Sequence, residues 1–233
     1  MQIANAVVLI TGANRGIGLA FAREALARGA RRVYAAARNP DTVRLAGVLP
    51  IQLDITDADQ VARAARECGD VTLVINNAGI AATGGFLADT DLESARRQFE
   101  TNFFGMLRIG QAFAPVLARN GGGALLNVLS IASWLNRPQL GVYGATKSAA
   151  WALTNGLRHE LRPQGTQVTA LHMGFVDTDL TRDLQAPKST PQAIVRAALD
   201  GLEAGAEEVL ADDFTRQVKQ SLSLATPAYL AAA

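Results

Sequence analysis

Short apolar runs alternate with longer amphipathic patterns along the whole chain. The apolar runs have strand length and the amphipathic patterns repeat at helical spacing, which predicts alternating β-strands and α-helices. Helices are predicted over residues 16–28, 57–67, 142–161 and 191–204, and a long helix within residues 92–117. Strands are predicted over residues 7–10, 32–37, 48–53, 71–75, 124–130, 167–172 and 209–211.

The predicted strands are apolar on both faces, a pattern typical of a parallel sheet that helices cover on both sides. Right-handed crossovers between such strands give a doubly wound α/β fold of the Rossmann type, here with about seven strands. No linker, repeat or low-complexity block divides the chain. Residues 1–233 are therefore predicted to form a single domain.

Composition narrows the class of function. The chain has 233 residues, 18% of them charged, and a formal net charge of +1. Nucleic-acid-binding domains usually carry a concentrated basic surplus, so we expect no nucleic-acid partner. Cys68 is the single cysteine, which excludes an internal disulfide and suits a reducing compartment. His159 and His172 are far apart in sequence and no other ligand cluster accompanies them, so no metal site is expected.

The chain opens on Met-Gln-Ile-Ala-Asn-Ala and passes at once into a predicted strand. This opening does not have the basic-then-apolar pattern of a leader, and no apolar run is long enough to span a bilayer. We therefore expect a soluble, cytoplasmic protein with no membrane partner.

The first predicted strand runs directly into a glycine-containing loop. Its glycines allow a tight turn, close approach of the backbone to a diphosphate, and close packing of helix on strand. The N–H groups at the start of the next helix would face that diphosphate. Three glycines alone are a weak signal, but their place after the first strand of an alternating pattern indicates a dinucleotide site. The expected contacts are Gly12, Asn14, Arg15, Gly16, Ile17 and Gly18.

The end of the second strand decides which dinucleotide fits. An NAD site usually has Asp or Glu there, where the carboxylate accepts hydrogen bonds from ribose hydroxyls. This strand instead ends in three alanines and Arg38. The planar guanidinium of Arg38 suits the 2′-phosphate of NADP(H), and Arg15 can approach the same group from the glycine loop. Either arginine alone is also explained as a surface residue, but both together, without a carboxylate, favour NADP(H).

Tyr143 and Lys147 are the most informative pair in the sequence. At i and i+4 on a predicted helix, both side chains project from one face. An ammonium beside a phenol is expected to lower the pKa of the phenol, which lets it exchange a proton with a carbonyl or alcohol oxygen near neutral pH. Alone, this spacing would describe a surface lysine beside a packed tyrosine. Ser130 changes that, because it ends the fifth predicted strand, where ligands of open α/β sheets bind.

One short run and two single polar residues accompany this pair. The run Asn76-Asn77-Ala78-Gly79 closes the fourth predicted strand and offers amides that fix the sheet and the nearby backbone. Asn102 is a polar residue in an apolar helical segment, which indicates either a hydrogen-bonding role or solvent exposure. Asp54 follows the third strand and either accepts a hydrogen bond from an adenine amino group or caps the helix that begins near residue 57.

From the first strand to at least Thr178 the sequence resembles the short-chain dehydrogenase/reductase family. The glycine motif, Asp54, the Asn-Asn-Ala-Gly run, Asn102, Ser130, Tyr143 and Lys147 occur in the order of that family. Ser130 and Tyr143 are separated by 13 positions (143 − 130), as in members without an insertion there.

The resemblance implies a catalytic tetrad for hydride transfer between a nicotinamide and a carbonyl compound. Tyr143 would be the general acid, and Ser130 would orient and polarise the carbonyl. Lys147 would lower the pKa of the tyrosine and bind nicotinamide-ribose hydroxyls, while Asn102 would hold a water that links Lys147 to solvent. Further cofactor contacts implied by the family are Asp54, Ile55, Asn77, Ala78, Gly79, Tyr143, Lys147, Gly174, Val176 and Thr178.

The segment that begins at Gly174 resembles the family's nicotinamide-carboxamide segment. It departs from the pattern in one position, because Met173 stands where proline usually precedes the glycine. The loop is therefore expected to be less rigid. A substrate loop is expected over about residues 174–192. The residues expected to flank a hydrophobic ketone, aldehyde or alcohol, each also explicable as ordinary core, are Ser130, Ile131, Trp134, Leu135, Tyr143, Phe175, Leu180 and Leu184.

In this family the helices that carry Asn102 and Tyr143 commonly pair across a two-fold axis, so the resemblance implies a homodimer or homotetramer. Two other functions stay open beside an NADP-dependent reductase. One is a regulatory protein that senses NADP without catalysis, which would need no intact tetrad. The other is an enzyme similar to halohydrin dehalogenases, which have arginine at the position of Lys147 and a halide site in place of the nicotinamide.

Overall fold

The computed structural model describes residues 1–87 and 92–230. The predicted domain also includes residues 88–91 and 231–233, which lie outside the described residues. The strands are β1 (Val7–Thr11), β2 (Arg32–Ala37), β3 (Leu49–Gln52), β4 (Leu73–Asn76), β5 (Ala124–Val128), β6 (Gln167–His172) and β7 (Glu208–Leu210). The helices are α1 (Gly16–Ala27), α2 (Ala58–Glu67), α3 (Glu93–Phe99), α4 (Met106–Arg119), α5 (Gly141–Leu161), α6 (Pro191–Glu203) and α7 (Asp213–Ser221).

All seven strands form one parallel sheet in the order β3-β2-β1-β4-β5-β6-β7. The order reverses between β1 and β4, so the loops that follow these two strands leave in opposite directions. The gap between them opens a crevice at the carboxyl ends of the strands, where doubly wound sheets bind their ligands. The predicted doubly wound Rossmann-type fold is confirmed.

Helices cover both faces of the sheet, as the apolar strands require. Helices α1 and α6 pack together on one face, over a cluster that includes Phe21 and Leu199. Helices α2, α4 and α5 cover the other, over a cluster that includes Phe113 and Leu125. Cys68 is fully buried in this second cluster, and burial raises the pKa of its thiol to about 12, so it is an unreactive core residue.

The long helix predicted within residues 92–117 is present as three consecutive segments. Between α3 and α4 the residues Glu100–Gly105 form a π-helical turn, in which the hydrogen bonds span one residue more than in an α-helix. Hydrophobic periodicity does not reveal such an insertion, because the apolar stripe continues on both sides of it. The insertion lies at Asn102, one of the predicted site residues.

Helix α7 was not predicted from the sequence. It is a short surface helix with only Thr215 and Val218 buried, so it has no apolar stripe of the length that identifies a helix. The fifth strand is also shorter than predicted and ends at Val128. Its backbone nevertheless stays paired to β6, because the N–H of Leu129 donates to the carbonyl of Leu171 at 2.8 Å. Among the described residues, no helix has both the length and the apolar character needed to cross a membrane.

Candidate active site

The glycine loop lies at the carboxyl end of β1, beside the point where the strand order reverses. Gly12 and Gly16 have φ of +66° and +54°, which L side chains rarely adopt. A Cβ at Gly18 would lie 2.1 Å from the carbonyl oxygen of Gly12, so α1 packs on the turn more closely than any side chain permits. Arg15 is extended and exposed at the helix start, and Asn14 and Ile17 are half-buried in the loop. The loop therefore has the open backbone that a diphosphate requires.

Polar residues after β4 hold this loop from the neighbouring strand. The Asn77 side chain donates to the carbonyls of Thr11 at 2.9 Å and Gly12 at 3.1 Å. The hydroxyl of Thr11 accepts hydrogen bonds from the N–H groups of Asn77 and Ala78, both at 3.0 Å. Asn76 is buried and donates to Asn127 on β5 at 2.9 Å. These amides fix the sheet and the glycine turn, as the sequence predicted for the Asn-Asn-Ala-Gly run.

Asn102 is buried, which excludes the solvent-exposed alternative. Its carboxamide oxygen accepts from the N–H of Ile80 at 2.9 Å, and its Nδ2 donates to the carbonyl of Ile80 at 2.8 Å. The same Nδ2 also donates to Thr146 Oγ1 at 2.9 Å, and that hydroxyl donates to the carbonyl of Tyr143 at 2.7 Å. Asn102 therefore joins the π-helical turn, the loop after β4 and the first turns of α5.

Lys147 and Tyr143 lie on α5, above the carboxyl end of β5. The ammonium of Lys147 is buried, donates to the carbonyl of Val128 at 2.9 Å, and lies 5.7 Å from the centroid of the Tyr143 ring. Gly79 approaches the same place, since a Cβ there would lie 3.9 Å from Lys147 Nζ and 3.2 Å from Asn102 Oδ1. Ser130 lies two residues after the end of β5, and its side chain is close enough to Tyr143 to lower the pKa of the phenol. The structure thus brings the four predicted catalytic residues together.

The phenol of Tyr143 does not have the lowered pKa that the sequence predicted. Burial raises the pKa of Tyr143 to about 12, and the hydrogen bond from Ser130 lowers it by a smaller amount. Burial also lowers the pKa of Lys147 to about 8. The prediction considered only neighbouring positive charges, whereas burial of both groups is the larger effect in this structure.

Comparison with known proteins identifies the family. A model of the short chain dehydrogenases matches residues 6–189. The chain belongs to the short-chain dehydrogenase/reductase family. A short-chain dehydrogenase from Burkholderia cenocepacia, solved in complex with NADP, is 40% identical over 97% of this chain and 95% of its own, with a TM-score of 0.93. A second, from Sphingobium yanoikuyae and solved with NADPH, is 28% identical over 93% of this chain and 91% of its own, with a TM-score of 0.83.

A curated relative supports the same family. An uncharacterized oxidoreductase of Schizosaccharomyces pombe is 33% identical over 187 residues, which make up 77% of this chain. The matched part spans 63% of the length of that relative.

Two predicted cofactor residues of this short-chain dehydrogenase lie after β3. Asp54 Oδ1 accepts from the N–H of Thr56 at 3.0 Å and from its hydroxyl at 2.7 Å. The cap of α2 is Asp57, whose side chain accepts from the N–H groups of Asp59 and Gln60, so the alternative that Asp54 caps this helix is wrong. Ile55 is buried and packs against Gly105 at the start of α4.

The arginines predicted to select the cofactor lie at the same edge of the sheet. Arg38 is exposed and directly follows β2, whose residue Ala36 accepts from the N–H of Ala13 in the glycine loop at 2.9 Å. Arg15 forms an ion pair at 3.2 Å with Asp179 of the loop after β6, and both side chains are exposed. A 2′-phosphate at this edge would therefore meet Arg38 directly and Arg15 in exchange for Asp179.

The loop after β6 is held more firmly than the missing proline led us to expect. The N–H of Gly174 donates to Asp212 Oδ2 at 2.7 Å, and the carbonyl of Met173 accepts from the N–H of Ile131 at 2.8 Å. Val176 is buried and pairs with Ser189, which closes the base of the loop. Thr178 lies next to the glycine loop, since its Cγ2 would be 3.4 Å from a Cβ at Gly16. Asp212 therefore supplies a tether that the sequence did not reveal.

The predicted substrate residues separate into two groups. Leu135 is buried and Ile131 half-buried in the turn after β5, while Phe175 and Leu180 are exposed and Leu184 half-buried in the loop after β6. Trp134 does not form a free cleft wall. Its ring stacks on His172 at 3.9 Å between centroids, and Lys219 Nζ lies over it at 4.6 Å. The sequence missed these contacts because they come from β6 and from the unpredicted helix α7.

An open cleft of about 660 Å³ borders the start of α5, two residues before Tyr143. It is formed where Gly84 pairs with Leu140, with hydrogen bonds between the two loops. These residues were not predicted from the sequence, because no motif marks either loop and the pairing at Gly84 joins segments that are distant in sequence. Its lining is Gly85, Phe86, Leu87, Asn136, Arg137, Pro138 and Gly141.

Asp212→Ala tests the tether of the loop after β6. The change removes the N-cap of α7 and leaves the N–H of Gly174 without its acceptor, so we expect the free energy of unfolding to fall by about 1–2 kcal/mol. The measurement is urea denaturation. Asp213→Ala, one residue later with a side chain that is 89% exposed, is the control and should be nearly neutral. Equal stability of the two variants would show that Asp212 holds nothing.

Proposed function

We propose that this short-chain dehydrogenase is an NADPH-dependent reductase of hydrophobic ketones or aldehydes that also oxidises the matching alcohols. The observation that carries the proposal is the convergence of Ser130, Tyr143, Lys147 and Asn102 at the carboxyl ends of the strands, beside the glycine loop. A sensor of NADP would not need all four. Lys147 also argues against an enzyme similar to halohydrin dehalogenases, which have arginine at that position.

NADPH, when bound, supplies the hydride, and the residues of the chain manage the proton and the developing charge. Tyr143 is the acid that protonates the carbonyl oxygen, because a phenol with a pKa of about 12 holds its proton at neutral pH. Ser130 donates a hydrogen bond to the same oxygen and places it against the phenol. The ammonium of Lys147 stabilises the phenolate that remains after proton transfer.

Arg38 and Arg15 support NADPH over NADH. β2 does not end in a carboxylate, which would repel a 2′-phosphate, and Arg38 is exposed at that point. The Burkholderia cenocepacia relative, 40% identical, was solved with NADP. The glycine loop would hold the diphosphate, with Asn77 and Thr11 fixing its turn.

The cleft beside Tyr143 supports an apolar substrate. Phe86, Leu87 and Pro138 give it a mostly apolar wall, and exposed Phe175 and Leu180 add apolar surface to the loop after β6. A carbonyl compound with an aromatic or branched aliphatic substituent suits such a lining better than a small polar one.

Tyr143→Phe tests the proposed acid. We expect kcat for NADPH-dependent reduction of a ketone and aldehyde panel to fall by about 10²–10⁴-fold, because phenylalanine has no proton to donate. Tyr34→Phe is the matched control, since the Tyr34 hydroxyl forms hydrogen bonds with Asp70 and Arg32 near the start of β2, away from the site. Full activity of Tyr143→Phe would remove Tyr143 from the mechanism.

Arg38→Ala tests the cofactor preference. Loss of a charge-assisted contact to the 2′-phosphate should raise KM for NADPH by about 10–100-fold and leave KM for NADH nearly unchanged. Arg119→Ala is the control. Arg119 is the last residue of α4, which ends near the start of β5 and so at the opposite end of the strands from the site. An equal change in KM for both cofactors would mean that Arg38 does not read the phosphate.

We also propose that the chain forms a homodimer or homotetramer through the surface around α3 and the π-helical turn. A shallow apolar cleft of about 430 Å³ lies there, lined by Leu92, Ala95, Arg96, Phe99, Glu100 and Phe104. Phe104 is 43% exposed and lies within the π-helical turn that also holds Asn102. Contiguous apolar surface of this kind is typical of an interface between subunits.

Phe104→Asp should reduce the molar mass measured by light scattering, because a carboxylate placed in an apolar interface opposes association. Leu49→Asp, at a similarly exposed position of edge strand β3, is the control and should keep the wild-type mass. A wild-type monomer would contradict the proposed assembly.

A further inference from the structure

A buried histidine lies directly behind the proposed catalytic serine. His172 ends β6, is fully buried, and its Nδ1 lies 3.1 Å from the carbonyl oxygen of Ser130. A carbonyl oxygen only accepts hydrogen bonds, so Nδ1 carries the proton in this contact and Nε2 carries the lone pair. Burial lowers the pKa of the ring to about 4, which keeps the ring neutral at physiological pH.

His172 and Met173 form hydrogen bonds with both polar groups of the peptide that joins Ser130 and Ile131. The carbonyl of Ser130 accepts from His172, and the N–H on the other side of the same peptide, that of Ile131, donates to the carbonyl of Met173 at 2.8 Å. The Ser130 carbonyl also accepts from the N–H of Ser133 at 3.0 Å, and Ser130 Oγ accepts from the N–H of Ala132 at 3.1 Å. The orientation of this peptide therefore determines where the turn after Ser130 begins and where its hydroxyl lies.

The ring itself is held by residues from the turn after β5, from β7 and from α7. It stacks on Trp134 with an interplanar angle of 22°, and Lys219 Nζ lies over Trp134 at 4.6 Å and over Trp151 at 5.5 Å. Lys219 pairs with Glu208 at 2.8 Å, and Glu208 lies 3.6 Å from His172 Nε2. An aromatic stack and an ion pair thus hold the imidazole against the Ser130 peptide.

The composition of this cluster argues against a purely space-filling role. Among the described residues His172 Nε2 has no hydrogen-bond partner, and a buried polar atom without one is costly. An apolar ring would fill the same space without that cost. What an apolar ring cannot do is donate to the Ser130 carbonyl.

We propose that His172 is a positioning residue for the reductase, which holds the peptide after Ser130 so that the serine hydroxyl faces Tyr143. The inference rests on the proposed function for its kinetic consequence, but the contact it assigns is independent of turnover. His172 is not one of the four residues of the tetrad.

A double-mutant cycle with NADPH and a reducible ketone tests the coupling. His172→Phe keeps the aromatic stack and removes the donor, and it should lower kcat about 10-fold with little change in KM. His172→Asn retains an N–H at a similar reach and should recover most of that loss. In a Ser130→Ala background, His172→Phe should cause no further loss, because the group it positions is gone.

Equal losses from His172→Phe in both backgrounds would overturn the proposal, since they would mean a general structural effect. Failure of His172→Asn to recover more activity than His172→Phe would also overturn it. Tyr143→Phe measured in parallel separates the proposed function from the positioning role of His172. Full activity of that variant would reject the proposed function, while the double-mutant cycle at residues 130 and 172 could still be interpreted.

Amide hydrogen exchange gives a measurement that requires no turnover. His172→Phe should speed exchange of the Ile131 and Ser133 amides, which depend on the pinned peptide, and leave the β1–α1 region at the wild-type rate. Unchanged exchange at these two amides would show that His172 does not hold the turn, whatever the catalytic activity of the protein.

Discussion

The buried carboxamide of Asn102 joins the three segments on which the site depends. It satisfies both the N–H and the carbonyl of Ile80, whose loop has no sheet partner for them, and its second N–H reaches Thr146 on α5. A buried backbone group without a partner costs about 1–3 kcal/mol. Because the loop is half-buried at Ile80, this side chain stabilises it there. The π-helical turn carries that side chain between α3 and α4. The position of α5, with Tyr143 and Lys147, follows from this junction.

The electrostatics of the site also follow from its burial. Tyr143 and Lys147 are each shifted toward the neutral form, with pKa values of about 12 and 8, because burial disfavours the charged form of both. The phenol thus keeps its proton until a reaction draws it away. The ammonium of Lys147 is held by the carbonyl of Val128, at the end of the strand that leads to Ser130. The end of β5 therefore positions Lys147, which stabilises the phenolate, and leads directly to Ser130, which contacts the proton donor Tyr143.

The cofactor side of the molecule was predictable from the sequence. The glycine loop and the Asn-Asn-Ala-Gly run are local motifs placed by adjacent strands, and their geometry follows from residues close in sequence to each strand end. Asn102, Ser130, Tyr143 and Lys147 were identified in the same way, by residue type and order. The prediction was weaker wherever a value depended on solvation, as for the pKa of Tyr143, because a neighbouring charge is visible in a sequence and loss of water is not.

The substrate side was not predictable, because residues that are distant in sequence assemble it. Asp212 tethers Gly174 across 38 positions, and Lys219 reaches Trp134 from a helix with only two buried residues. Neither contact leaves a periodic pattern in the sequence, so Trp134 was placed in the substrate cleft and the loop after Met173 was expected to be less rigid. Both differences come from the corner formed by β6, β7 and α7. Ser130 lies where the cofactor side and the substrate side meet. It follows β5, which pairs with β4 on the cofactor side, and its carbonyl is held by His172 on the substrate side.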